Sequence, residues 1–107
     1  MAITRQKPLT RGEVGDKALI INNIGELYRI ARVLSSHVRV QILYYLALYG
    51  ELSVKQLAEL TKTPLPIVSR HVKKLEQEGL VITGLKTGRR GLRKILKKRY
   101  DRIIVRL

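Results

Sequence analysis

The chain has 107 residues, 45% of them hydrophobic, which suits one domain able to bury well over half of its unfolded surface. Twenty-two lysines and arginines stand against eight acids, a formal net charge of +14; such a balance points to a polyanionic partner, nucleic acid first and an anionic membrane surface second. There is no cysteine, which excludes disulfides and thiolate metal sites.

Residues 1–13 are polar, carry Arg5, Lys7 and Arg11, and show no periodicity. They read as a flexible basic arm ahead of a folded unit spanning 14–107; the alternatives are a plain frayed end and an arm that touches an anionic partner. They lack the apolar core of a signal peptide. The run Ile42–Tyr49 is the longest apolar one, far below the roughly 18 residues of a spanning helix. A cytoplasmic protein without a membrane partner is therefore expected. Ala18–Ile21 could open a helix or form a short strand.

From about Asn23 to Leu34 the pattern is helical, with Ile24, Leu27, Tyr28, Ile30, Ala31 and Leu34 spread over more than one face. Ser36 can cap the next helix, His37–Tyr49. Its inward positions are expected to be Val40, Leu43, Leu46 and Ala47. Ile42, Tyr44, Tyr45, Leu48 and Tyr49 fill its other sides. Two helices with more apolar surface than one small core can use imply a second copy, with Ile24, Leu27, Tyr28, Tyr45 and Tyr49 as dimer-interface candidates. A small-molecule pocket lined by the tyrosine rings is the other reading. Gly50 ends the helix, and Glu51-Leu52-Ser53 is a candidate short strand.

Two short helices joined by a tight turn follow, at about 54–61 and 64–78. In the first, Leu57 and Leu60 are apolar, and small Ala58 lets a second helix cross closely. In the second, Val68, Val72 and Leu75 recur at i, i+4 and i+7 with His71 on the same stripe, so this side packs inward. Ser69, Arg70, Lys73, Lys74 and Gln77 stand on the other side. Thr63 is expected to cap this helix with Pro64 in its first position, and Gly79 to end it in a left-handed conformation. Leu80–Thr83 reads as a strand. Helix, turn, helix, glycine and strand begin a winged helix-turn-helix, mainly α with a small antiparallel β-hairpin, whose basic second helix a DNA major groove would accept.

Between Lys86 and Arg102 nine cations stand against one acid, Asp101. Gly84, Gly88 and Gly91 permit tight turns, so this is read as an enlarged basic wing over about 80–107. Its cations Lys86, Arg89, Arg90, Arg93, Lys94, Lys97 and Lys98 would face phosphates. The spacing of Leu92, Ile95, Leu96, Tyr100, Ile103 and Leu107 also fits a helix that helps dimerise. The β-branched run in 101–107 favours the returning wing strand, paired with Leu80–Thr83.

The segment Leu57-Ala58-Glu59 through Val68-Ser69-Arg70-His71-Val72-Lys73-Lys74-Leu75-Glu76-Gln77-Glu78-Gly79-Leu80-Val81, with Leu34–Leu43 before it, resembles bacterial and archaeal winged-helix regulators of the ArsR and MarR types. The likeness covers about residues 23–83. It departs at Pro64-Leu65-Pro66-Ile67, where relatives usually carry polar residues. The resemblance implies a helix in the major groove, a wing on the flanking backbone, groove contact from Ser69 and Arg70, and a packed place for His71.

His37 and His71 lack a second ligand at metal spacing, so no metal and no cofactor are expected. Ser69 and His71 point to different sides of a helix and cannot pair as nucleophile and base. No catalytic site is found, and the chain is read as a non-enzyme. The expectation is a sequence-specific, nucleoid-associated, double-stranded DNA-binding transcription regulator acting as a homodimeric repressor. Its DNA contacts would come from Ser69, Arg70, Lys73, Lys74 and the wing. The rival readings are a sequence-tolerant architectural protein and a winged helix used on protein or RNA.

Overall fold

A computed structural model describes residues 17–107; the arm expected over 1–13 lies outside them. The elements run β1 (Ala18–Ile21), α1 (Ile24–Val33), α2 (His37–Tyr49), α3 (Val54–Thr61), α4 (Leu65–Gln77), β2 (Val81–Gly88), β3 (Gly91–Lys98) and β4 (Arg102–Val105). Three helices start on polar caps. The Asn23 side chain accepts from the Glu26 N–H at 2.8 Å, and Ser36 Oγ from Arg39 at 3.3 Å. Ser53 and Gln56 cap each other's backbone N–H at 3.1 and 2.9 Å.

The fourth helix starts differently from expectation. Thr63 does not cap it; its hydroxyl donates to the Thr61 carbonyl at 3.1 Å. Pro64 takes the cap position without a side-chain bond, and Leu65 opens the helix. Pro66 has no N–H, and the Ile67 N–H turns back to the Pro64 carbonyl at 3.0 Å. The two donors that a cap would serve are already accounted for. The far end follows the sequence reading. Gly79 is left-handed at φ 75°, the Leu80 N–H reaches the Leu75 carbonyl at 2.9 Å, and the Gly79 N–H reaches Glu76 at 3.0 Å, a Schellman turn that also buries Leu80.

The core gathers Leu57 from α3, Val68, Val72 and Leu75 from α4, Leu80, Val81 and Leu96 from the base of the hairpin, and Ile42 and Leu46 from α2. Ile21, Ile30 and Val33 close it from the other side. α2 is turned relative to its expected orientation: Val40 and Ala47 lie exposed, and Ile42 is fully buried. A helix that is apolar nearly all round carries no pattern to mark its inner side, so contact with α3, α4 and β3 decides.

The hairpin corrects the expected wing. β3, not residues 101–107, pairs antiparallel with β2, in register from Val81↔Lys98 to Gly88↔Gly91, so the wing ends at Lys98. The chain reverses at Arg89-Arg90. Both keep negative φ, and Gly91, at φ 101°, takes the left-handed step that lets β3 return. Leu52 joins β3 through one bridge, exchanging backbone bonds of 3.1 and 2.8 Å with Leu96. The run 101–107 does contain a strand, but β4 lies parallel to β1, from Ala18↔Arg102 to Ile21↔Val105. Asp101 fastens this second sheet. Its carboxylate accepts from the Lys17 N–H at 2.9 Å, and its own N–H donates to the Lys17 carbonyl at 2.7 Å.

Candidate nucleic-acid interface

The inward stripe of α4 leaves Ser69, Arg70 and Lys73 in solvent. Lys74 is half-buried and sits 3.7 Å from the Glu78 carboxylate, which also accepts from Arg29 Nε at 2.8 Å. His71 is not simply packed. Arg39, on α2, donates from Nε to His71 Nδ1 at 3.2 Å and from Nη1 to the Val33 carbonyl at 3.0 Å. One guanidinium therefore ties the last turn of α1 to the motif helix. Burial pushes the His71 pKa below its ordinary value, and the charges of Arg39 and Arg70 add to that.

Strand alternation sorts the wing. Lys86, Arg93 and Lys97 fall on one face of the hairpin, Lys94 and Lys98 on the other. Each face is held to the body by an acid. Glu51, before α3, lies 3.1 Å from Lys86 and 3.3 Å from Lys97; hydrogen bonds from Lys86 and then Lys97 hold its carboxyl below the usual carboxylate range. Glu76 of α4 accepts from the Thr83 hydroxyl at 2.8 Å and stands 3.9 Å from Lys94. Lys98 pairs with Asp101. Burial pushes the Asp101 carboxyl up, but bonds from Lys98 and the Lys17 N–H outweigh it, and its pKa is lowered. Four of the seven wing candidates thus already have a carboxylate partner. Among the described residues, Arg89, Arg90 and Arg93 have none.

These groups gather in two hollows. A concavity of about 830 Å³ opens between the start of α3, the outer side of α4 and the wing tip, and its lining includes Lys55, Ser69, Arg89, Arg90 and Arg93. Arg70, Lys73 and Lys74 line a second hollow with Arg39 and His71. The sequence reading did not single out Lys55, Arg39, Glu51 or Glu76 for these roles. Lys55 had a signal, lying in the first turn of the motif. The acids had none, because Glu51 is separated from Lys86 by 35 residues. Of the dimer candidates, Ile24, Tyr28 and Tyr49 are exposed, while Leu27 and Tyr45 pack against the core. Among the described residues no cluster of three or more His, Cys, Asp or Glu could hold a metal ion, and no helix is long and apolar enough to cross a membrane.

Two crossed helices, a basic outer side on the second and a hairpin at its flank define a winged helix-turn-helix. A sequence model of "Bacterial regulatory protein, arsR family" matches residues 36–83, just under half of the chain, and the fold is the winged helix-turn-helix of the similar structures. Two similar structures stand just below 30% identity. One, in solution, is the homodimeric winged helix-turn-helix DNA-binding domain of Mb0332 from Mycobacterium bovis, a possible ArsR-family transcriptional regulator. It is 28% identical over 69% of this chain and 64% of that one, with a TM-score of 0.58. The other is a MarR family transcriptional regulator from Silicibacter pomeroyi, 29% identical over 68% and 57%, with a TM-score of 0.53. Reduced HlyU from Vibrio cholerae, 23% identical over 72% and 76% with a TM-score of 0.58, shares the fold. A comparison with curated protein sequences found no match. The matched family model and these similar structures are of transcriptional regulators.

Proposed function

We propose that the chain is a sequence-specific double-stranded DNA-binding transcription regulator, a homodimer that represses by occupying promoter DNA on the nucleoid. The observation that carries this is the concavity shared by the outer side of α4 and the wing tip, which lets one body engage a groove and its flanking backbone together. α4 would enter the major groove. Arg70 can pair bidentately with a guanine edge, Ser69 can bond a base or phosphate, and Lys73 and Lys74 can meet the groove walls. Arg89, Arg90 and Arg93, which have no carboxylate to leave, would clamp the backbone or reach the minor groove. Lys86, Lys94, Lys97 and Lys98 would first have to exchange an intramolecular partner, so they contribute less. Homodimerisation is supported by the homodimeric M. bovis domain.

The unpaired arginines at the tip also favour a second reading, an architectural protein that neutralises phosphates without regard to sequence. Selection from random duplex DNA, followed by footprinting on genomic fragments, separates the two. A consensus with discrete protected sites is expected; uniform coverage would establish the architectural reading instead.

A further inference from the structure

Between His37 and Tyr49, α2 offers few polar side chains beyond His37, Arg39 and Gln41. A helix of that composition is ordinarily covered on every side. Among the described residues one side alone is covered. Ile42 and Leu46 are fully buried, whereas Val40, Tyr44 and Leu48, one above another at i, i+4 and i+8, remain 45%, 59% and 56% exposed. Beside this ridge runs a groove of about 380 Å³ between α2 and the approach to β4; its apolar lining includes Leu43, Ala47, Leu80 and Ile103, and Lys98, Asp101 and Arg102 line it on the β4 side.

We infer that this ridge and groove are the surface on which two copies of the chain pair. The inference rests on the homodimer proposed above and places its interface on α2 rather than on the exposed Ile24 and Tyr28 of α1. Three features single out a second copy as the occupant. First, two bodies of formal charge +14 repel wherever their cations meet, and Val40, Tyr44, Ala47 and Leu48 form a sector without charge on which they can approach. An acidic partner would be drawn to the cationic sides instead.

Second, the face is self-complementary. A ridge beside a groove lets a two-fold axis seat each copy's Tyr44 and Leu48 in the other's groove, and small Ala47 between them lets the helices cross closely. Third, Val40, Tyr44 and Leu48 each leave about half of their surface open, a fitting apolar centre for an interface that buries about 800 Å² a side.

The absence of cysteine makes the test direct. In the full chain, the single substitution Ala47→Cys, at the helix crossing, should give covalent dimers on mild oxidation, and Ile24→Cys should not. Leu48→Glu, at a position already exposed, should keep the far-UV spectrum and weaken association by about a hundredfold or more in sedimentation, because the carboxylate would be buried in the pair. Ile24→Glu should leave association unchanged. A dimer that survives Leu48→Glu, or crosslinks at Ile24 and not at Ala47, overturns the α2 placement and leaves the homodimer standing. A wild-type chain that sediments as a monomer at micromolar concentration, with and without duplex DNA, overturns both. A chain lacking residues 1–16 that dimerises where the full chain does not assigns the groove to its own N-terminal segment and also overturns the inference.

Discussion

Arg39 and His71 couple the motif helix to protonation. The imidazole accepts the Arg39 Nε–H through Nδ1, which a doubly protonated ring cannot do. Its pKa lies below the ordinary 6.5, because burial disfavours the charged form and Arg39 and Arg70 add like charge. A depressed pKa means that the folded state binds fewer protons than the unfolded one. The stability due to His71 is therefore whole above pH 6.5 and is lost as pH falls through the lower folded value. Thermal unfolding followed from about pH 7.5 to about 5 should show a steeper loss for the wild type than for His71→Gln, whose side-chain oxygen still accepts from Arg39 and does not titrate. Arg70 carries a separate expectation. Arg70→Ala should cost about 1–3 kcal/mol on the best site and relax preference at one base position, measured by titrating single-substituted duplexes. The exposed row Ser69, Arg70 and Lys73 was legible because an α-helical period leaves a solvent side once Val68, Val72 and Leu75 are placed. Glu51 was not, since its roles depend on lysines brought to it only by the hairpin.

The motif helices were legible at their ends as well as their faces, because caps, prolines and glycines act locally. Gly79 illustrates this. A Cβ there would meet only the Arg99 guanidinium, at 3.8 Å, so the cost of Gly79→Ala is conformational, about 1–2 kcal/mol for a side chain held left-handed, and denaturant unfolding should show it. The wing was legible in charge and not in extent. Leu92–Leu107 satisfies both a helical and a strand reading, and the deciding signal was the Gly88-Arg89-Arg90-Gly91 turn. The ion pairs now divide the wing's cations. Replacing Arg89, Arg90 and Arg93 together by Ala should make the slope of log affinity against log salt shallower by up to about three units per wing, with the ranking of DNA sequences preserved. Replacing Lys86 and Lys97 should change the slope less, since Glu51 already balances them. If the ranking collapses while the slope holds, the tip reads bases or groove shape.

A two-fold pair of these domains would present two α4 helices to one face of a duplex. Their half-sites should lie about 34 Å apart, centre to centre, in near-palindromic order. Inserting about 5 base pairs between the half-sites turns one of them to the opposite face of the DNA and should abolish paired binding in a gel-shift titration, whereas about 10 should restore part of it. Equal binding to both insertions would argue for independent monomers. What the sequence concealed at this level was the second sheet. Parallel pairing of Ala18–Ile21 with Arg102–Val105 joins segments that share no turn, no spacing rule and no local pattern.

That sheet bears on how the molecule comes into being. Lys17 and Asp101 are 84 positions apart, and a ribosome adding about 5–20 residues per second takes roughly 4–17 s to cover that distance. Helices and hairpins form in microseconds. During synthesis the helices of the motif can therefore form while β1 still waits for the strand it pairs with. Until Arg102–Val105 have been made, β1 has no strand to pair with.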